Sequence, residues 1–235
     1  MALETTAQID VLTAEECRGA RDLLHTLQNS WVVRKTAIPF YTLGAASYLD
    51  AKPGFDHYRR VAEQFNPVLN EHFAWLHARV ADSLSRFLCE PVVCSPVLAL
   101  PGFHIYLGCK LFEKPIASVH FDLQYDLLAW EQPELCDFDH PLSLTLPLAL
   151  PATGGGLFTW NVEYNEARDL DDTAFKELVN QRTQQYHAYS LGRMFVHSGH
   201  TLHQAAPGRD LKLTDERITL QGHAVRCGGK WQLYW

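Results

Sequence analysis

Val92-Val93-Cys94-Ser95-Pro96-Val97-Leu98-Ala99-Leu100-Pro101-Gly102-Phe103-His104-Ile105-Tyr106-Leu107-Gly108 is where this chain changes character. Short apolar or alternating segments, cut by Pro96, Pro101 and Gly102, replace the wider apolar spacing that precedes them. The same texture continues forward through Ala117–Tyr125, Leu142–Leu150, Leu157–Trp160, Arg193–His197, Thr201–Ala205, Arg217–Val225 and Trp231–Tyr234. Short strands at this density, with turn residues between them, predict a β-sandwich or barrel. A polar, charged insert at about 161–185 interrupts the series, with a short helix predicted over Thr173–Gln184.

Backward from Val92 the pattern is helical. Thr13 and Glu16 form a capping-box pair ahead of Cys17, Ala20, Leu23, Leu24 and Leu27, which sit close to a period of 3.6. From Asp56 to Leu88 apolar residues recur every three or four positions. Pro67 is expected to divide that run, because proline lacks the N–H that a helix interior needs. The expectation is therefore an α+β chain, mainly β, forming one domain over 1–235. Residues 1–92 supply helices, and 93–235 supply the β core.

The 235 residues are 47% hydrophobic and 20% charged, an ordinary globular balance. A formal charge of −7 with no basic stripe argues against nucleic acid as a partner, since a phosphate backbone calls for a basic surface. The first residues, Met1-Ala-Leu-Glu-Thr-Thr-Ala-Gln8, lack a positive region followed by an apolar one, so no secretory leader is expected. The most apolar stretch, Leu142–Leu150, is too short to span a bilayer. Six scattered cysteines (17, 89, 94, 109, 136 and 227) form no C-x-x-C pair and read as reduced, mostly buried thiols of a cytoplasmic protein.

Chemistry concentrates in Val119-His120-Phe121-Asp122. At strand spacing His120 and Asp122 project to one face while Phe121 faces the other. An imidazole and a carboxylate side by side offer two adjacent ligands to a divalent metal. A third ligand is sought in His197-Ser-Gly-His200-Thr-Leu-His203-Gln-Ala-Ala-Pro207. No glutamate lies between these histidines as the zinc-protease helix would require. Two histidines and one carboxylate leave half an octahedron open, the ligand set of non-haem iron oxygenases.

In this respect the chain resembles the iron(II)/2-oxoglutarate-dependent dioxygenases. Their signature is H-x-D, a distant His, then a basic residue followed two positions later by Ser or Thr. Here those pieces are His120-x-Asp122, Leu202-His203 and Arg217-Ile218-Thr219. Gly154-Gly-Gly-Leu-Phe158, Gly192-Arg-Met-Phe-Val196 and Pro207 match lesser features of the pattern. The resemblance covers roughly residues 93–235 and implies a double-stranded β-helix (jelly roll) with the N-terminal helices packed against it.

The resemblance further implies Fe(II) on His120, Asp122 and His203, with O2 and 2-oxoglutarate as co-substrates. The Leu-His pair ahead of Pro207 selects His203; His200 is the runner-up, and His197 reads as a neighbouring strand histidine. Arg217 and Thr219 would clamp the distal carboxylate of 2-oxoglutarate, since a planar guanidinium pairs with a carboxylate through two parallel hydrogen bonds. Tyr106 would sit near the same carboxylate. The implied reaction is oxidation of a small metabolite, such as an amino acid or a natural-product intermediate, by a monomer or homodimer. Hydroxylation is the default outcome, with succinate and CO2 released; halogenation is disfavoured because Asp122 fills the position a halide would take. Trp130, Trp160, Asn161, Tyr164, Arg168 and Arg193 are expected near the rim of the site. Two other readings fit the residues: a non-catalytic metal- or ligand-binding β-sandwich, and a cupin-like metalloenzyme using His197 or His200 without 2-oxoglutarate.

Overall fold

A computed structural model describes residues 6–115 and 117–235; the first five residues of the amino-terminal reading lie outside these. The strands are β1 (Ala7–Asp10), β2 (Val32–Lys35), β3 (Phe40–Leu43), β4 (Val92–Cys94), β5 (Gly102–Leu107) and β6 (Cys136–Ala149). They continue with β7 (Leu157–Glu163), β8 (Gln184–His187), β9 (Arg193–Ser198), β10 (Thr201–Ala205), β11 (Glu216–Cys227) and β12 (Lys230–Tyr234). The helices are α1 (Ala14–Thr26), α2 (Ser47–Asp50), α3 (Phe55–Leu88), α4 (Tyr164–Ala167) and α5 (Asp172–Gln181).

The strands form two sheets. The larger runs β1-β9-β6-β11-β5-β3-β2, with β12 joined to the far end of β11 and to β4. The smaller runs β10-β7-β8. Every pairing is antiparallel except the parallel one between β12 and β4. The protein is thus mainly β, with its helices laid on the outside.

Alternation along the strands of the larger sheet decides which side is dry. Phe103 and Ile105 on β5, Leu142, Leu144 and Leu146 on β6, Met194 and Val196 on β9, and Ile218 and Leu220 on β11 are buried in the principal core. They pack against Cys17, Ala20 and Leu24 of α1 and Phe65, Leu69, Phe73, Leu76, Val80 and Leu84 of α3. Apart from Phe195, which packs with Leu157 and Tyr189, the intervening residues are mostly polar: His104 and Tyr106, Ser143 and Thr145, His197, then Arg217, Thr219, Gln221 and His223. Two-residue periodicity sends them to the opposite face. The smaller sheet is covered by α4 and α5, where Trp160, Val162, Ala167 and Leu202 meet Phe175, Leu178 and Val179.

The structure revises several sequence expectations. α3 passes through Pro67 without a break. Pro67 and Glu63, whose carbonyl loses its i+4 donor, are both exposed, so water satisfies the group while Phe65, Leu69 and Phe73 keep the buried face continuous. The N-terminal part is not helical alone: β1, β2 and β3 lie in the larger sheet, too short to betray a period in sequence. Of Val92–Leu100, residues 92–94 form a strand. Ala117–Tyr125 is not a strand; it makes one isolated bridge, His120 to His203, and a 3-10 turn at Gln124–Leu127. The polar insert is bounded by paired strands β7 and β8.

The cysteines also depart from expectation. Cys136 and Cys227 face each other in register across β6 and β11 and form a disulfide. Of the remaining four, Cys17 is buried, Cys94 and Cys109 are half-buried, and Cys89 is exposed. No helix among the described residues is long and apolar enough to cross a membrane.

Candidate metal centre and co-substrate cavity

The polar face of the larger sheet and the residues around His120 enclose a cavity of about 800 Å³. Its wall includes His104, Tyr106, Ser143, Thr145, His197, Arg217, Gln221 and His223 from the larger sheet, and His203 from the smaller one. His120, Asp122 and Gln124 enter from the connecting segment.

His120 and His203 are brought together by backbone pairing. Each amide donates to the other's carbonyl at 3.0 Å, and the next contact, Asp122 N–H to the Gly199 carbonyl, is 2.8 Å. A doubly hydrogen-bonded antiparallel pair sets its two side chains side by side, and the rings lie 4.4 Å apart. Phe121, between the two ligand candidates, turns outward onto Tyr164 and Phe175. Leu202 does the same next to His203, buried beneath α4 and α5. Alternation therefore holds at the site although the segment carrying His120 is not a regular strand.

One ligand atom from each of His120, Asp122 and His203 lies within 4.8 Å of the others. His120 Nε2 is 3.6 Å from Asp122 Oδ1, and His203 Nε2 is 3.4 Å from Asp122 Oδ2. Each ring is oriented from behind. His120 Nδ1 bonds the Ser118 carbonyl and His203 Nδ1 the Thr201 carbonyl, both at 2.9 Å. A carbonyl only accepts, so both rings carry the proton on Nδ1 and present the Nε2 lone pair to the carboxylate side. Asp122 is fixed by Gln124, whose Nε2 donates to Oδ1 at 2.8 Å.

Burial pushes His203 down to about 3, so its ring is neutral near pH 7. Burial acts the same way on His120, but hydrogen bonding to Asp122 and its charge outweigh it and raise that pKa. Burial alone would raise Asp122; the imidazoles of His203, His223 and His120 outweigh it and hold the carboxyl well below its usual range. One carboxylate and two histidines with free Nε2 atoms are a donor set suited to a divalent first-row metal.

Arg217 lines the same cavity. Its Nε donates to the Gly155 carbonyl at 2.9 Å, and its guanidinium carbon lies 5.6 Å from the Tyr106 ring centre and 5.7 Å from that of Tyr189. Gly154 and Gly155 turn the chain here with φ of 80° and 73°, values that favour glycine, and so aim the Gly155 carbonyl at Arg217. Among the described residues the two Nη groups of Arg217 have no protein partner, and the side chain borders both this cavity and an adjoining pocket lined by Phe112, Pro207 and Leu211. Tyr106 lines the cavity and stacks on Phe40 at 4.3 Å. Thr219 is fully buried; its Oγ1 accepts from Gln221 Nε2 at 2.7 Å, and it forms no part of the cavity wall.

The other histidines of the distal motif are now placed. His200 is bonded to the Tyr125 hydroxyl at 2.8 Å, away from the cavity. His197 lines the cavity with its ring 4.6 Å from that of His203, and its Nδ1 bonds the Ser198 carbonyl. His104 is bonded to the Tyr48 hydroxyl at 2.9 Å, and burial, with Arg217 nearby, pushes it down to about 3. None of Trp130, Trp160, Asn161, Tyr164, Arg168 and Arg193 lines the cavity; Arg193, for example, pairs with Asp10 at the sheet edge.

Sequence reasoning passed over His223, Gln221, Gln124, Thr145 and Tyr189. His223 Nδ1 lies 3.9 Å from Asp122 Oδ2 and 3.2 Å from Ser143 Oγ. A signal for His223 and Gln221 exists in the sequence, because Arg217, Thr219, Gln221 and His223 share one two-residue period.

No protein-family model matches the sequence, and no curated protein matches it. Solved structures do match in shape. The crystal structure of an N-substituted L-amino acid dioxygenase from Burkholderia ambifaria AMMD aligns over 98% of this chain and 86% of its own, with a TM-score of 0.58 and 13% identity. SnoN, a non-heme alpha ketoglutarate dependent epimerase from nogalamycin biosynthesis, aligns over 94% and 78%, with a TM-score of 0.51 and 18% identity. AviO1 from Streptomyces viridochromogenes Tue57 aligns over 97% and 91%, with a TM-score of 0.51 and 15% identity. The chain is thus similar in fold, along nearly its whole length, to a dioxygenase and to a non-heme alpha ketoglutarate dependent epimerase.

Proposed function

We propose that this protein is an iron(II)- and 2-oxoglutarate-dependent oxygenase, a single catalytic unit that oxidises a small metabolite, with hydroxylation as the default outcome. The observation that carries this reading is the shared cavity: His120, Asp122 and His203 converge in it, and Arg217, its Nη groups unpaired among the described residues, lines it. The two facing sheets, with polar residues between them, are read as a double-stranded β-helix.

His120, Asp122 and His203 would hold Fe(II) on one side, leaving the remaining positions to a chelating co-substrate and O2. The chemistry supplied by bound iron and 2-oxoglutarate is oxygen activation coupled to decarboxylation, with succinate and CO2 as products. The protein's own work is positioning. The Ser118 and Thr201 carbonyls fix the two imidazoles, and Gln124 fixes the carboxylate. Arg217, its Nε already tied to Gly155, would pair its free prongs with the distal carboxylate of 2-oxoglutarate. Tyr106 and Tyr189 flank the guanidinium with their rings. Thr219 supports the wall by holding Gln221.

The test is succinate release. Purified protein with Fe(II), ascorbate, O2 and 2-oxoglutarate is assayed across a panel of amino acids, N-substituted amino acids and polyketide-type metabolites. Substrate-stimulated succinate with an equimolar oxidised product is the expected result. Protein that binds metal but forms no succinate with any panel member, even slowly without substrate, would overturn the reading in favour of a non-catalytic site.

A further inference from the structure

Resting on the oxygenase reading, we infer that the mouth of the cavity is an anion subsite, built by Lys35 and Lys52, and that the substrate carries a carboxylate or phosphate group held there. Both lysines are exposed and line the cavity that contains His120, Asp122 and His203. Among the described residues Lys110 is held by an ion pair, with Glu113; Lys35 and Lys52 are not. Their ammonium groups are left to solvent or to a ligand.

Their placement is fixed by a buried structural pair. Arg34, next to Lys35 at the end of β2, donates from Nη1 and Nη2 to the two carboxylate oxygens of Asp50 at 2.7 Å each. Arg34 Nε donates to Thr42 Oγ1 at 2.7 Å, and Asp50 Oδ2 also accepts from the Ala46 amide at 2.8 Å. The two side chains are only 10% and 6% exposed. A two-pronged, nearly dry ion pair of this kind is directional. It ties the last residues of β2 to the last residue of α2, and so fixes the backbone that bears Lys35 on one side and Lys52, two residues beyond Asp50, on the other.

Charge balance points the same way. Arg217 is assigned to 2-oxoglutarate and Asp122 to the metal, which leaves Lys35, Lys52 and Asp126 as the charged residues of the remaining wall. Asp126 pairs with neither lysine within ion-pair distance. The mouth is therefore net positive on a protein whose formal charge is −7. Phe40, Tyr48, Leu49 and Leu127 add apolar surface to the wall of the same cavity. A substrate with an apolar body and an anionic end matches that combination of surfaces. Lysine acts as a point charge without the planar fork of arginine, so carboxylate and phosphate share the chemistry and are separated by experiment.

The experiment is equilibrium dialysis of matched probes against intact protein loaded anaerobically with Fe(II) and 2-oxoglutarate. The probes are naphthaleneacetic acid against naphthaleneacetamide, and naphthyl phosphate against naphthol. At least one anionic probe is expected to bind about tenfold or more tightly than its neutral partner, the size of a charge-assisted contact. Lys35→Gln and Lys52→Gln should each cut that preference severalfold, and the double variant should bring it near unity, while Lys176→Gln on α5, outside the cavity wall, keeps it. Circular dichroism verifies that each variant is folded. Absence of any anionic preference in the native protein, absence of binding by every probe, or a preference that survives the double substitution would overturn the subsite. The visible band of the iron–2-oxoglutarate complex, read in the same samples, reports separately on the oxygenase reading: a missing band with a lysine-dependent preference would sink the co-substrate assignment and leave the anion subsite standing.

Discussion

At the scale of single residues, the site depends on how each ligand is oriented rather than on ligand identity alone. His120 and His203 present Nε2 because backbone carbonyls hold Nδ1. Asp122 is ionised and held by Gln124. Arg217 differs in kind, since the proposal gives it the co-substrate and not the metal. Arg217→Ala is therefore expected to weaken 2-oxoglutarate by about 100-fold, from the loss of a two-pronged charged contact worth about 3 kcal/mol, with Fe(II) affinity nearly kept. Calorimetric titration of each component checks it; an unchanged co-substrate affinity would remove Arg217 from the clamp. Much of this was legible in sequence, because H-x-D, Leu-His and Arg-x-Thr occur in order with few competing residues. The roles of Gln124, His223 and Gln221 were not, since a single polar residue in a strand or turn carries no sign of what it faces. His203, preferred to His200 for its Leu-His context ahead of Pro207, is the one that lines the cavity, while His200 bonds Tyr125.

At the scale of elements, α3 carries the largest apolar face on the larger sheet and does so across an internal proline. Sequence reasoning placed a break at Pro67 because the local cost is about 3 kcal/mol in a helix interior. The buried contacts of Phe65, Leu69, Phe73 and Leu76 outweigh that cost. Pro67 is exposed, so Pro67→Ala restores a backbone hydrogen bond without disturbing the core. It should stabilise the protein by about 2 kcal/mol after allowing for the proline's smaller unfolded-state entropy; a lower chemical-denaturation midpoint for the variant would contradict this. The capping box of α1 was readable and forms as read, Thr13 N–H to Glu16 at 2.8 Å and the reciprocal bond at 3.2 Å. By contrast β1, β2 and β3 are four residues each. That is too short for alternation to emerge; β2 and β3 pair with each other as neighbours, while β1 joins β9 and β3 joins β5 across long stretches of chain.

At the scale of the whole molecule, the two faces of the larger sheet divide the labour: one packs on α1 and α3, and the other lines a polar cavity rich in histidine. That division has a cost in acid. His77, His104, His187, His197, His200, His203 and His223 are all depressed below the ordinary histidine value, each chiefly by burial. A histidine with a lowered folded-state pKa takes up its proton more readily when unfolded, so stability falls as pH drops below the unfolded value of about 6.5. His120, whose pKa is raised, works in the opposite direction, but one group is set against seven. Metal-free protein should therefore lose stability steadily between about pH 6.5 and pH 4, measured as denaturant midpoints across that range. A flat profile would mean that these rings are solvated in solution. The pairing of Cys136 with Cys227 was invisible at this scale from sequence, because the two are remote along the chain and meet only through the β6–β11 register.

The most direct test of the account is an anaerobic titration of Fe(II)-loaded protein with 2-oxoglutarate, followed by visible absorption. A weak charge-transfer band that saturates at one equivalent is expected, with its loss in His203→Ala and His120→Ala because the metal is no longer held. A native protein that binds Fe(II) yet shows no band at any 2-oxoglutarate concentration, or a band that persists undiminished in both histidine variants, would contradict it.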